Sequence, residues 1–355
     1  MKLSLQLLPR LHRRPTNLVP TLQYLNRAAR SHSTCREEGN RPRIPSVDAV
    51  TGDIDLELFR NVAWHNGTPL LLSKFHTLPA MEKWFCYSTD GSHVDFEDNM
   101  KTYGDTVLSY EFTPHLLTNI APGSNGKNLG RFLEWLQRSA EYRKTYIPHV
   151  IEALMQSLEN SMSQFHQFDG PLSLIMSACE FNKTRENAAE RITQLYVAQS
   201  NLSDLPEPLS QDLPVPDLVR RAGRGDVYVS SIWLGLQPTY TPLHRDPNPN
   251  LFCQVVSHKA IRLMRPHLGT ALYSRVRREL GSTGNSRFRG TEMMEGPERE
   301  LLHRAVWGGT DTSPEMQEAL LGPGDALFIP KGWWHSVVST GEESQLNASV
   351  NWWFR

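Results

Sequence analysis

The sequence predicts a mainly β fold with surrounding helices, in which a C-terminal barrel or sandwich carries an N-terminal α/β extension. Three observations carry this. From residue 222 the chain breaks into short β-rich runs, several separated by Gly, Pro, Asn or Asp, the texture of an all-β barrel or sandwich. Before that point, apolar residues recur at helical spacing in some segments and in compact strand-like runs in others. The 355 residues, 39% of them apolar, suffice for one large domain or two small ones with a real core.

Residues 1–45 read as a basic leader. Of the chain's 37 Lys/Arg and 38 Asp/Glu, this stretch holds nine bases and two acids, Glu37 and Glu38, a net of +7. The remaining 28 bases and 36 acids leave a body of net −8. An acid-free run rich in Arg, Leu and Ser has the composition of a mitochondrial transit peptide. The expected location is therefore the mitochondrion, with a disordered basic tail on a cytoplasmic or nuclear protein as the alternative. The acidic body disfavours general binding to nucleic acid, whose phosphates need Lys/Arg neutralisation. No run approaches the roughly 18–20 apolar residues that a helical membrane span needs. Cys35, Cys86, Cys179 and Cys253 lie far apart with no CxxC pair, which argues against a disulfide framework or a cysteine zinc site.

Residues 46–221 read as a mixed helical and strand region that packs on the barrel. "RPRIPSVDAV" (41–50) is a Pro-containing linker. "GTPLLLSKF" (67–75) and "YGDTVLSYEFT" (103–113) read as strands. Leu129, Phe132, Leu133 and Leu136 make one apolar helix face. Ile151, Leu154, Met155 and Leu158 make another, with Pro148 in its first turn. "ENAAERITQLYVAQ", around 185–197, reads as a third helix. These stripes read as core packing.

Residues 222–355 read as the barrel. Its expected strands are "DVYVSSIWL" (226–234), "LFCQVVS" (251–257), "KAIRLMR" (259–265), "DALFIP" (325–330) and "LNASVNWWF" (346–354). Residues 267–320 are long, charged and Gly-containing, and read as an insertion with a short helix near 270–280. Arg275, Arg277, Arg278, Arg287 and Arg289 crowd its first half.

The chemistry centres on "TPLHRDPNPNLFCQV" (241–255). In a strand, residues i and i+2 share a face, so His244 and Asp246 can converge on one ion. A lone HxD is a weak signal in a chain with 13 histidines. "GPGDALFIPKGWWHSVVS" (322–339) strengthens it, because a strand–turn–strand hairpin there can bring His335 across a barrel to face the pair. Two histidines and one carboxylate on one face form the triad of non-haem Fe(II) oxygenases, which leaves three positions for cosubstrate and O₂. Zinc held by His₂Asp is the inorganic alternative, although zinc usually keeps one open position.

"TPLHRD…NLFCQVVSHKAIRLMRP", "GDALFIPKGWWHSVVS" and the terminal "NASVNWWF" together resemble the JmjC/cupin-like Fe(II)- and 2-oxoglutarate-dependent oxygenases. The resemblance is nearest to the branch that includes the asparaginyl hydroxylase acting on hypoxia-inducible factor. It covers about 190–355 well and reaches more weakly back to about 50. It implies a double-stranded β-helix, or jelly-roll, barrel. It also implies that Fe(II), 2-oxoglutarate and O₂ are used, with His244, Asp246 and His335 as metal ligands and the catalytic centre. Lys259, fifteen residues after His244, stands where the family keeps the lysine that pairs with the distal carboxylate of 2-oxoglutarate. A buried charge of that kind needs such a partner. Thr241 and Tyr196 match hydroxyl donors to the same carboxylate. Asn250 and Asn351 match polar residues near the cosubstrate, and Gln199 matches a substrate-facing position. Trp333, Trp334, Trp352 and Trp353 read as packing in the barrel wall.

Within this resemblance, hydroxylation of a protein side chain is the first expectation, since no Cys/His zinc module of the kind many chromatin demethylases carry is present. Lysine demethylation and oxidation of a small molecule or tRNA base are alternatives. A reading from another class is a cupin-like metal-binding scaffold without turnover, against which the complete triad and Lys259 argue. A protein substrate is the expected partner. The family's homodimers often use a C-terminal helix, which is not found after the last expected strand.

Overall fold

The computed structural model describes residues 44–89, 93–113, 124–161, 163, 165–281, 294–309 and 315–355. Its strands are β1 (Ala49–Thr51), β2 (Leu70–Ser73), β3 (Phe85–Tyr87), β4 (Val94–Phe96), β5 (Val107–Phe112), β6 (His166–Pro171), β7 (Leu195–Asn201), β8 (Val227–Leu236), β9 (Tyr240–Arg245), β10 (Asn250–Val256), β11 (Lys259–Met264), β12 (Gln317–Leu321), β13 (Ala326–Ile329), β14 (Trp334–Ser339) and β15 (Leu346–Phe354). Its α-helices are α1 (Leu56–Phe59), α2 (Ala80–Lys83), α3 (Ser124–Arg138), α4 (Ile147–Asn160), α5 (Leu172–Lys183), α6 (Glu207–Gln211), α7 (Asp217–Arg221), α8 (Pro266–Glu279) and α9 (Gly296–Trp307). No helix among the described residues is long and apolar enough to cross a membrane. The basic leader up to residue 43 lies outside the described residues.

From β8 onward the chain alternates between two antiparallel sheets, which is the jelly-roll. One sheet has the order β12-β11-β14-β9. The other places β13, β10, β15 and β8 side by side. The N-terminal region extends this second sheet at both edges, giving nine strands in the order β1-β2-β13-β10-β15-β8-β7-β5-β6. Strand pairing tells which residues share a face, because directly opposed side chains point the same way. On β15, Ser349, Asn351 and Trp353 oppose Gln254, Phe252 and Asn250 on β10 and Trp233, Ser231 and Val229 on β8. The Lys259 ammonium on β11 reaches Ser349 Oγ at 2.8 Å, so this face of the large sheet looks across the barrel at the small one.

The outer faces are covered by helices. Leu251, Cys253, Phe328, Val350 and Trp352 join the main core with residues of α3, α4 and α5. Cys253 is wholly buried there, and burial pushes its thiol far above the usual range. The small sheet buries Leu243, Met264 and Trp334 under Tyr273 and Val276 of α8 and Leu302 and Val306 of α9. An ion pair from Arg277 to Glu298 joins the two insertion helices.

Several expectations are corrected. The segment around 185–197 is not a helix: its Ala-rich part forms only a short 3-10 turn, Ala188–Glu190, and Leu195–Asn201 is β7. Helix propensity there is a weak prior, and pairing with β5 and β8 overrides it. The 41–50 linker already enters β1, which pairs parallel with β2. The insertion ends before 320, since Gln317–Leu321 pairs with β11, and its first helix spans Pro266–Glu279 rather than a short stretch near 270–280. Arg287 and Arg289 lie outside the described residues. Finally, α5 was not expected from the sequence. Nine of its twelve residues are buried on all sides, so it has no amphipathic stripe to read.

Candidate metal centre

His244 and His335 are directly opposed on β9 and β14, and their rings lie 4.2 Å apart. Asp246 follows β9 by one residue. His244 Nε2 stands 3.9 Å from Asp246 Oδ1, and His335 Nε2 stands 3.6 Å from Asp246 Oδ2. Each is too far for a hydrogen bond and near enough to share one ion. The three residues are a group whose ligand atoms all lie within 4.8 Å of one another.

The donor chemistry fits a divalent metal. His244 Nδ1 faces the Pro242 carbonyl at 2.8 Å, and His335 Nδ1 faces the Trp333 carbonyl at 3.2 Å. A carbonyl accepts only, so each Nδ1 carries its proton and each Nε2 lone pair turns to the shared point, as in metal-binding imidazoles. Burial alone would raise the Asp246 carboxyl. The positive charge that the His335 and His244 rings carry when protonated, with hydrogen bonds from Trp353 and Asn250, outweighs it and holds the carboxyl below its usual range. The Trp353 indole donates to Asp246 Oδ2 at 2.8 Å, and Asn250 Nδ2 donates to the same oxygen at 3.2 Å. Asn351 Nδ2 in turn donates to Asn250 Oδ1 at 2.9 Å.

These contacts refine the sequence reading. Asn250 holds the Asp246 carboxylate, and Asn351 holds Asn250. The buried Asn351 Oδ1 has no hydrogen-bond partner among the described residues, an orphan acceptor beside the triad. Trp334 and Trp352 are fully buried packing residues. Trp353 is more than barrel wall, because its indole orients the carboxylate.

Thr241 is three residues before His244, a spacing that in a regular strand would turn it to the other face. A bulge corrects this: His335 opposes His244, while Val337 opposes Thr241, so β9 has one extra residue over that interval. Thr241 thus lies on the triad's face, half-buried.

Lys259 is 2% exposed and opposes Ser339 on the same β14 face as His335. Its ammonium meets Ser349 Oγ at 2.8 Å and the Tyr196 hydroxyl at 3.4 Å, and lies 5.3 Å from the Phe252 ring centre. No described carboxylate is ion-paired with it. Burial pulls its pKa down to about 7. A buried cation met only by hydroxyls and rings fits an incoming carboxylate. Ser349 is a hydroxyl partner of Lys259 that the sequence reading did not name. Tyr196 is steered by Gly235, which opposes it on β8: a Cβ on Gly235 would lie 2.2 Å from Tyr196 Cδ2. Gln199 is exposed at the β7 bulge with φ 55°, a left-handed backbone uncommon outside glycine.

Sequence reasoning missed Ser349 and Trp353. Both lie two residues from Asn351 on β15, so strand periodicity from that residue points to them.

Residues 56–355 match the family described as the cupin-like domain. Lysine-specific demethylase JMJ30 of Arabidopsis thaliana is 30% identical over 242 residues, 68% of this chain and 50% of the relative. Jumonji C domain-containing protein 5 of Drosophila melanogaster is 31% identical over 340 residues, 95% of this chain and 63% of the relative. Lysine-specific demethylase 8 of Danio rerio is 31% identical over 161 residues, 45% of this chain and 36% of the relative. The chain therefore spans between 36% and 63% of the length of these three relatives.

Proposed function

Because this chain belongs to the cupin-like JmjC family, we propose that it is an Fe(II)- and 2-oxoglutarate-dependent oxygenase that hydroxylates a side chain of a protein. The carrying observation is the convergence of two Nε2-directed histidines and a hydrogen-bonded carboxylate, with a buried lysine in the same barrel that meets hydroxyls and no described carboxylate.

His244, Asp246 and His335 would hold iron through three ligands, leaving the remaining octahedral positions open. Iron with 2-oxoglutarate and O₂ supplies the oxidation of a substrate C–H bond, releasing succinate and CO₂. The chain's own groups orient and hold. Trp353 and Asn250 fix the Asp246 carboxylate. The Pro242 and Trp333 carbonyls hold each Nδ1–H, so the neutral rings would present their Nε2 lone pairs to the metal. Lys259, with Ser349 and Tyr196, would receive the distal carboxylate, whose charge returns the buried ammonium to its charged form. The apolar walls around Phe252 and Ile261 keep water from that pair.

The names of two relatives favour a second reading, removal of a methyl group from lysine. That is the same oxidation made on an N-methyl carbon, which then leaves as formaldehyde. The basic leader supports a mitochondrial protein as substrate.

Loss of succinate release in His244→Ala and Asp246→Ala, with wild-type folding by circular dichroism, is the expected outcome. Full turnover in either variant overturns the assignment. Mass spectrometry of proteins from cells with and without active enzyme separates the readings, by one added oxygen or one lost methyl group. Tight zinc with no succinate would favour a scaffold.

A further inference from the structure

We propose that a cationic cleft at the metal end of the barrel binds an acidic polypeptide segment. Its role as part of the substrate rests on the oxygenase reading, but its binding does not. The cleft has a volume of about 370 Å³ and is walled by Trp64, Phe328, Trp333, Arg265, His267 and Lys331.

Its place is set by the loops that carry the metal ligands. Pro249, also in the wall, follows Asp246 by three residues. The Gly332 N–H donates to the Asp246 carbonyl at 3.2 Å, and Trp333 supplies the carbonyl that faces His335 Nδ1. Arg265 follows Met264, which opposes Trp334 beside His335. Pro249 and the 330–333 turn are thus shared between the wall of the cleft and the frame of the triad.

Its chemistry is one-signed. Arg265, His267 and Lys331 are exposed, and among the described residues no carboxylate lines the cleft. Neither Arg265 nor Lys331 is ion-paired with a described acid. The Arg265 guanidinium is instead held 5.6 Å over the Trp333 ring. Arg265 and Lys331 stand in a body whose net charge beyond residue 45 is −8, so the local sign opposes the global one. The rings are fixed: Trp64 stacks on Phe354 at 5.3 Å and lies 5.9 Å from Phe328. Basic side chains over immobile rings recognise carboxylates borne on an extended chain, with its methylenes lying against the aromatic floor. A free inorganic anion would use only the charges.

The test uses the full chain and a fluorescein-labelled octa-glutamate peptide, followed by anisotropy. Wild type is expected to bind it saturably, ever more weakly with added salt, and to ignore octa-lysine. Arg265→Glu/Lys331→Glu is expected to weaken binding by about tenfold or more. Undiminished binding in that variant overturns the proposal, as does equal competition by inorganic phosphate at matched charge. If the charge reversal disturbs folding, Arg265→Gln/Lys331→Gln is measured instead and must show weakened binding. Wild type that binds the peptide but releases no succinate would sink the oxygenase reading and leave the cleft standing.

Discussion

Asp246 is held by a tryptophan that the sequence reading had placed in the wall. Groups that orient a metal ligand typically carry about 10–100-fold in metal affinity. Trp353→Phe keeps the ring area and removes the indole N–H, so iron affinity should fall within that range with little change in melting temperature, read by metal titration. Unchanged affinity would make Trp353 a packing residue after all. Lys259 gives a second residue-scale prediction. Its folded pKa is about 7 against an ordinary 10.5, so between those values the unfolded chain binds more protons. The destabilisation is full below pH 7 and fades as pH rises toward 10.5. Ligand-free protein should therefore gain stability across that window. Lys259→Met should flatten the slope and raise stability at neutral pH, while losing 2-oxoglutarate binding. Urea unfolding at several pH values checks both. At this scale His244, Asp246, His335 and Lys259 were legible because they carry spaced, chemically distinctive motifs. The contacts of Ser349 and Trp353 depend on how β15 registers against β10 and β11's side of the barrel, which no local spacing states.

Elements differ in how much of their environment they print in sequence. The helices α3 and α4 have one wet face, and their apolar stripes were readable. The helix α5 is dry all round, and β12 is short and set in a charged insertion, so neither announced itself. The 185–197 segment misled because helix-favouring residues precede a strand that its neighbours impose. One contact ties the insertion to the site. Gly269 of α8 rests on Trp334, where an added Cβ would lie 2.1 Å from Cγ. Trp334 precedes His335, so Gly269→Ala must displace either the helix or the strand. Overpacking of this kind costs about 1–3 kcal/mol. The expected result is a lower melting temperature together with weaker iron binding. A melting temperature and iron affinity both equal to wild type would show that the contact yields freely.

The change of texture at residue 222 is real in sequence but is not a seam in space. The described residues from 44 onward form one compact unit, and the strands added before 222 continue the barrel's larger sheet through both edges. The two regions should unfold together, with far-ultraviolet circular dichroism and tryptophan fluorescence tracing one coincident urea transition. Separate transitions would show that the extension is only appended.

The same continuity gives Cys253 a use unrelated to redox chemistry. Its thiol sits at the centre of β10, sealed between β13 and β15 and under the helices. An alkylating reagent can reach it only after those strands part, so its labelling rate counts openings of the wall that also carries Asn250. The cysteine is a built-in clock: a ligand that binds only the closed barrel should make it run slower.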